Sequence, residues 1–370
     1  MNEGKRIDGR RVTASFVIRC LIIAFAGVML VAGAIPGTFA GRQTGPVPAT
    51  AAAPGSASVP AGGVARSSTG SQGLIVTSTS ITADLARQVA GDRWEVVSLM
   101  PLGADPHAFE PTPQDARLLA RARLVVLVGA GLEPPAVTRL VRSAAVQAQV
   151  IELAPQLAVR WEGVSAHEGS SSQEESPSGH EPGTDAHEAS HGDLDPHVWT
   201  SVPNAMRMVQ QIASALERLD PAGKAAIAAR AERYLAQLRE LDAWVRRQVD
   251  RVPRERRVLV TNHETLHYFA REYGFTVVGA VIPSVSTLAE PTAAETAKLL
   301  DAIRRANVPA IFVEATVSPV LARRLAQEAG VRVVALYSDS LGPAGSGADS
   351  YAGYMRTNVT RIVEAMSDGR

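Results

Sequence analysis

Residues 220–253 read DPAGKAAIAARAERYLAQLRELDAWVRRQVDRVP and form the longest helical pattern in the chain. Asp220 is a good N-cap, Pro221 suits the first helical position, and Pro253 ends the pattern. Apolar side chains recur at three- and four-residue steps, which places them on one face of a helix. They are Ile227, Ala231, Tyr234, Leu238, Leu241, Val245, Val249 and Val252. A helix over residues 221–252, roughly 45 Å long at about 1.5 Å per residue, is long for one lobe and suits a connection between two.

Short apolar runs that are typical of buried strands alternate with helical patterns on both sides of this helix. The runs before it are residues 74–77, 94–99, 124–128 and 150–153, and those after it are 258–260, 276–278, 310–313 and 331–336. Such alternation indicates parallel sheets covered by helices. We therefore predict an α/β fold with two lobes, one over residues 74–219 and one over 253–370, joined by the helix of residues 220–252.

The first forty residues have the pattern of a targeting segment. Basic residues such as Lys5 and Arg19 precede an apolar stretch at 21–35, and residues 38–40 resemble a cleavage site. We predict a signal peptide over residues 1–40, or alternatively a retained membrane anchor, because residues 12–35 are almost long enough to span a bilayer. Residues 41–73 are rich in Pro, Ala, Gly, Ser and Thr, which predicts a flexible linker. The protein is therefore expected to be exported, to the periplasm or the cell surface.

The overall composition narrows the class of function. The chain has 370 residues, with 37 Lys and Arg against 37 Asp and Glu. This neutral balance, without a basic stripe, argues against binding of nucleic acid. Cys20 is the only cysteine, so the exported part is expected to have neither disulfides nor thiolate ligands.

The tripeptide Asp-Pro-His occurs twice, ending at His107 and at His197. A third histidine, His263, follows a predicted strand, and Asp339 follows another. Ligands in open α/β sheets bind beyond the carboxyl ends of the strands. Three imidazoles and one carboxylate make a four-ligand site of the kind that zinc prefers. We predict that these four side chains bind one divalent metal ion in a cleft.

Other polar residues are candidates for supporting roles. Glu314 ends a predicted strand and is a candidate acceptor for a hydrogen bond from a ligand imidazole. Residues 163–193 are rich in Ser, Gly and Glu and poor in apolar side chains, which predicts a disordered surface loop. Four of the eight histidines lie in it, and they are candidates for auxiliary metal capture. They are His167, His180, His187 and His191. The alternative is a solvated insertion without a role.

Residues 263–267 also match the H-E-x-x-H pattern of zinc peptidases. In that class of enzyme both histidines bind the metal, and the glutamate activates water. Here the motif begins a short helix that Gly274 ends, whereas a peptidase has it in the middle of a longer helix. Two interpretations remain open: a zinc hydrolase that uses His263, Glu264 and His267, or a metal site in which His263 is a ligand and His267 is not.

These motifs and their order resemble a known family, the solute-binding proteins of bacterial ABC importers for zinc and manganese, also named adhesin-type metal-binding lipoproteins. The matching segments are residues 103–113, 195–199, 261–274, 289–295, 312–319 and 336–342. The resemblance implies two α/β lobes joined by one long rigid helix, with the metal in the cleft between them. It also implies that the ligands are His107, His197, His263 and Asp339.

The resemblance further implies which metal is bound, since members with His at the third ligand position tend to bind zinc and those with Glu manganese. The chain has His263 there, and the acidic, His-containing loop is similar to one found in zinc members. One departure is that Cys20 lies in a poor context for lipidation. We therefore expect an exported, monomeric receptor that binds zinc and passes it to an ABC-type membrane permease, with manganese or ferrous iron as alternative metals. It is not expected to be an enzyme, because three imidazoles and a carboxylate fill the coordination shell. A surface adhesion protein remains a further alternative.

Overall fold

The computed structural model describes residues 72–158 and 194–367. The predicted signal peptide, residues 41–71 of the predicted linker, and the loop 163–193 with its four histidines lie outside the described residues. Within the described ranges, no helix combines the length and the apolar character that crossing a membrane requires.

The first half of the chain forms a parallel sheet of four strands in the order β2-β1-β3-β4. The strands are β1 (Leu74–Thr77), β2 (Glu95–Ser98), β3 (Ala122–Leu127) and β4 (Gln149–Glu152), and the helices between them are α1 (Ser80–Ala90), α2 (Pro113–Leu119) and α3 (Pro135–Ala144). Helices alternate with strands because a parallel connection has to cross over one face of the sheet.

The second half forms another parallel sheet of four strands in the order β6-β5-β7-β8. Its strands are β5 (Val258–His263), β6 (Thr276–Ile282), β7 (Ala310–Glu314) and β8 (Arg332–Leu336), accompanied by α6 (His267–Tyr273), α7 (Ala293–Arg305), α8 (Val320–Ala329) and α9 (Tyr351–Ser367). The predicted α/β fold with two parallel-sheet lobes is confirmed. The boundaries of the predicted domains stay a prediction.

Two helices lie between the sheets along the chain, α4 (Val202–Leu219) and α5 (Lys224–Val249). The apolar period of the sequence predicts only the second, with its start at Pro221. Residues Pro221–Gly223 instead form a short 3-10 turn, because the Asp220 carboxylate accepts a hydrogen bond from the Gly223 N–H and pairs with Arg93 at 2.7 Å. All eight apolar residues of the predicted helix face are buried.

Helix α5 packs against α1 from the first half and against α9 from the second half, as well as against α4. One large apolar cluster runs through these helices and the inner faces of both sheets, from Ile75 to Met366. A smaller cluster covers the outer face of each sheet. The central strands of both sheets are therefore buried on both faces, as strands of parallel sheets usually are.

Candidate metal centre

The two Asp-Pro-His tripeptides adopt the same turn. In each, the aspartate Oδ1 accepts a hydrogen bond from the backbone N–H of the histidine two residues later, at 2.9 Å for Asp105 with His107 and 2.9 Å for Asp195 with His197. A carboxylate that binds the backbone two residues further on closes a tight turn, and the proline between them restricts φ. The repeated tripeptide therefore forms a rigid turn that fixes the position of its histidine side chain.

The four predicted side chains come together at one place. His263 is the last residue of β5, and Asp339 follows the end of β8. The His197 Nε2 atom lies 3.3 Å from His107 Nε2 and 3.3 Å from His263 Nε2. Asp339 Oδ1 lies 3.7 Å from His197 Nε2, and Asp339 Oδ2 lies 3.8 Å from His263 Nε2. One donor atom from each of the four residues lies within 4.8 Å of all the others.

All four side chains are buried, and this shapes their electrostatics. Burial, with the neighbouring His197, lowers the pKa of His107 to about 3. Burial raises the pKa of Asp339, but nearby His263 and His197 outweigh it, so that the pKa of Asp339 is lowered. The carboxylate is therefore ionised. Asp339 Oδ1 has no hydrogen-bond partner among the described residues, so a buried, charged acceptor faces the imidazoles with nothing to satisfy it.

Carboxylates outside this group orient two of the rings. His197 Nδ1 lies 2.8 Å from Asp195 Oδ1. Burial raises the pKa of Asp195, but the nearby rings of His197 and His267 outweigh it and lower the pKa to about 2. Since an ionised carboxylate only accepts, Nδ1 of His197 donates, and Nε2 is the nitrogen that faces the other three side chains. His263 Nδ1 faces Glu314 Oε2 at 3.4 Å, a longer contact without a hydrogen bond.

His267 lies outside the group of four donors. Its Nε2 atom lies 2.8 Å from Glu264 Oε2, and its Nδ1 atom lies 3.5 Å from Asp195 Oδ2. Both ring nitrogens therefore face carboxylates, on opposite edges of the ring. In a peptidase His267 would share its metal with His263, so this geometry does not fit the hydrolase interpretation.

Two contacting residues were not singled out by the sequence analysis. Asp195 was quoted only as part of its tripeptide, although its carboxylate contacts the ring of His197. Thr287, in the loop after β6, donates a hydrogen bond to Asp105 Oδ2 at 2.6 Å. The tripeptide itself was a usable signal for Asp195, whereas nothing local in the sequence marks Thr287.

Known proteins resemble this chain over most of its length. The family model described as "ZnuA: Zinc-uptake complex component A periplasmic" matches residues 75–365. The manganese-binding lipoprotein MntA of Halalkalibacterium halodurans is 32% identical over 295 residues, which are 79% of this chain and 88% of that protein.

Solved structures agree in fold. The periplasmic zinc-binding protein TroA of Treponema pallidum superposes with a TM-score of 0.68 at 29% identity and covers 81% of this chain and 100% of that one. A manganese-bound periplasmic metal-binding protein of Candidatus Liberibacter asiaticus has a TM-score of 0.66 at 24% identity, covering 80% of this chain and 99% of that one, and it supports the fold alone. With a family model matched from β1 into α9, the chain belongs to the ZnuA family, zinc-uptake complex component A, periplasmic.

Proposed function

We propose that this protein is the extracytoplasmic solute-binding component of an ABC-type metal importer. It binds one divalent transition-metal ion, zinc, through His107, His197, His263 and Asp339, and it delivers the ion to a membrane permease. Glu314 supports the site through its carboxylate, which faces His263 Nδ1 at 3.4 Å. The metal is cargo in this account and takes part in no reaction.

The convergence of four buried donor atoms carries the proposal. Zinc–nitrogen bonds of about 2.0–2.1 Å in a tetrahedron place neighbouring nitrogens about 3.3–3.4 Å apart. Two of the three distances between histidine Nε2 atoms, those from His197, are 3.3 Å. These two pairs of rings therefore have the spacing that a shared zinc ion requires. It would also satisfy the Asp339 oxygen that has no hydrogen-bond partner among the described residues.

Two of the proposed ligands precede α5 in the chain and two follow it. A bound ion would thus link the lobe of residues 74–219 to the lobe of residues 253–370. We propose α5 as the connection between these two domains, because it packs against helices of both halves. Release of the ion to a permease would require the two pairs of ligands to separate.

The choice of zinc rests on the donor set. Imidazole nitrogen suits zinc, whereas manganese favours carboxylate and carbonyl oxygen, and zinc binds more tightly than manganese to most sites. The name of the matching family also refers to zinc. Manganese is the second candidate, since the relative MntA is named as manganese-binding. Ferrous iron remains an alternative on chemical grounds.

Delivery to a permease is proposed from the names of the relatives. Several are named as substrate-binding lipoproteins of metal or manganese ABC transporters. Such proteins are binding components outside the cytoplasm and not enzymes, in agreement with the expectation that this chain catalyses no reaction. Auxiliary capture by His167, His180, His187 and His191, and a monomeric state, stay predictions.

The proposal is tested by metal content and by titration. Protein purified from its native host should contain about one equivalent of zinc, measured by elemental analysis. The metal-free protein should then bind one equivalent of zinc tightly and manganese more weakly. His107→Ala should lose the tight binding, while Asp301→Asn, a change at an exposed helix position, should retain it. Tight binding in the His107→Ala variant would refute the proposed site, and a preference for manganese would refute the choice of metal.

A further inference from the structure

The H-E-x-x-H motif is not explained by the proposed metal site. That site uses His263 alone, whereas Glu264 is almost fully buried and His267 is three-quarters buried. Burying a carboxylate is costly unless it is paired. The buried carboxylate of Glu264 therefore needs a partner of opposite polarity, and the ring of His267 is the group that lies against it.

The ring of His267 lies between two buried carboxylates. Its Nε2 atom faces Glu264 Oε2 at 2.8 Å, and its Nδ1 atom faces Asp195 Oδ2 at 3.5 Å. Asp195 Oδ1 is already occupied, since it accepts from both the backbone N–H and the Nδ1 atom of His197. Asp195 Oδ2 is buried and has no hydrogen bond among the described residues, and the ring of His267 faces it at 3.5 Å. The ring thus completes the surroundings of the carboxylate that holds His197.

The start of α6 contacts Asp195 a second time. The Tyr268 hydroxyl donates a hydrogen bond to the Asp195 backbone carbonyl at 2.7 Å. Adjacent residues therefore contact both the side chain and the backbone of Asp195. The segment 263–268 supplies one proposed ligand, His263, and secures the turn that presents another, His197.

We propose that His267 is a positioning residue for metal binding, which acts by holding the Asp195 carboxylate in the orientation that fixes the ring of His197. The inference rests on the proposed function, because it assigns a role within that metal site. Partners of ligand imidazoles outside the coordination shell commonly change metal affinity by about 10- to 100-fold when they are removed. His267 acts one contact further away, so a smaller effect is expected.

A second metal site at His267 does not fit the same geometry. The two carboxylates face opposite edges of its ring, so they cannot share one ion with a single ring nitrogen. No cluster of metal-binding side chains within residues 72–158 and 194–367 includes His267. Its ring lies between two carboxyl groups instead.

A double-mutant cycle on zinc affinity separates this role from a general structural one. The variants are Asp195→Ala, His267→Leu and the combination, each titrated with zinc alone in competition with a chromophoric chelator. We expect His267→Leu to weaken binding several-fold, up to about 10-fold, and Asp195→Ala to weaken it by about 10- to 100-fold. The double variant should match Asp195→Ala within about twofold, because without the carboxylate His267 has nothing to position.

Two further variants serve as controls. Thr287→Val removes a hydrogen bond to Asp105, the aspartate of the other Asp-Pro-His turn, and its effect should multiply with that of Asp195→Ala. His267→Asn is neutral, like His267→Leu, but keeps a polar N–H near the position of Nδ1. It should therefore bind zinc more tightly than His267→Leu. Any effect of removing a positive charge is the same in both variants and cancels in this comparison. Thermal unfolding of each variant checks that it folds.

The results that would overturn the inference are distinct from those that would overturn the proposed function. Independent, multiplying losses from Asp195→Ala and His267→Leu would refute the positioning role, as would equal affinities of His267→Leu and His267→Asn. Both outcomes are informative when the parent protein binds zinc and the His107→Ala variant does not. Failure of the parent to bind any metal would instead refute the proposed function.

Discussion

Replacing Asp339 by asparagine removes the one negative charge among the four proposed ligands and changes the shape of the side chain little. Asp339 is buried, and both of its oxygens face imidazoles, at 3.7 Å from His197 Nε2 and 3.8 Å from His263 Nε2. The substitution therefore leaves the rings in place and removes an anionic donor. The metal ion should still be bound by three nitrogens. Its coordination shell would lack an anionic ligand, and its positive charge would no longer be partly neutralised.

The size of the loss follows from the number of ligands. Structural zinc sites with four ligands have apparent binding free energies of about 10–16 kcal/mol, which is roughly 2.5–4 kcal/mol for each ligand. At about 1.4 kcal/mol per factor of ten, Asp339→Asn should weaken zinc binding by roughly 10²- to 10³-fold. The lower end is favoured, because the asparagine carbonyl oxygen remains a weak donor.

Thermal unfolding in the presence of zinc provides an independent reading. With zinc at about 1,000 times its dissociation constant, the parent gains about 4.1 kcal/mol of stability, and a variant that binds 100-fold more weakly gains about 1.4 kcal/mol. At about 2–4 °C per kcal/mol, the rise in melting temperature should be smaller by roughly 5–10 °C in the variant. Competition with a chromophoric chelator measures the affinity itself.

The control is Asp301→Asn, the same chemical change at an exposed position of α7, which should behave as the parent does. An Asp339→Asn variant that binds zinc within threefold of the parent, with the same thermal shift, would refute the reasoning that the carboxylate is a ligand.

Three other predictions concern the ring of His263, the protons at the site and the long helix. Glu314→Gln should weaken zinc binding by about 10-fold, less than His263→Ala does, and equal losses in a chelator competition would contradict an indirect role for Glu314. Burial lowers the pKa of His263, but the charges of Glu314 and Asp339 outweigh it and raise the pKa to about 9. Zinc must therefore displace a proton at neutral pH. Affinity should fall as the pH is lowered from about 8 to about 6, and an affinity independent of pH, in calorimetry or competition, would contradict this. Leu238→Ala on α5 should destabilise the metal-free protein by about 2–5 kcal/mol in urea denaturation, because Leu238 is fully buried in the cluster shared by both halves. Arg239→Ala, exposed on the same helix, should cost little, and a similar loss in both variants would argue against the packing role.

Much of the fold was predictable because its signals are local. The eight apolar runs correspond to the eight strands, and the apolar period of residues 227–252 identified α5. Helix α4 was missed although its signals are of the same kind, with Ser201 accepting from the Asn204 N–H at its start and an apolar face through Met208 and Ile212. The order of strands within each sheet could not be predicted in this way, because it depends on how the connections cross over the sheet.

The residues of the candidate site likewise fall into those that local sequence signals mark and those that they do not. The repeated tripeptide singled out His107 and His197 because the turn needs its three residues in sequence, and strand ends singled out His263, Glu314 and Asp339. The contact between His267 and Asp195 joins residues 72 positions apart, and so it could not be inferred from spacing. The H-E-x-x-H spacing even favoured a different role for His267, because helical spacing alone says nothing of what faces the ring.

The most direct test of the central claim is anomalous X-ray diffraction from crystals of the zinc-loaded protein, with data on both sides of the zinc absorption edge. We expect one strong zinc peak within about 2.0–2.2 Å of Nε2 of His107, His197 and His263 and of an oxygen of Asp339. A principal peak bound by His263 and His267 together, or one that does not contact all four proposed ligands, would contradict this claim.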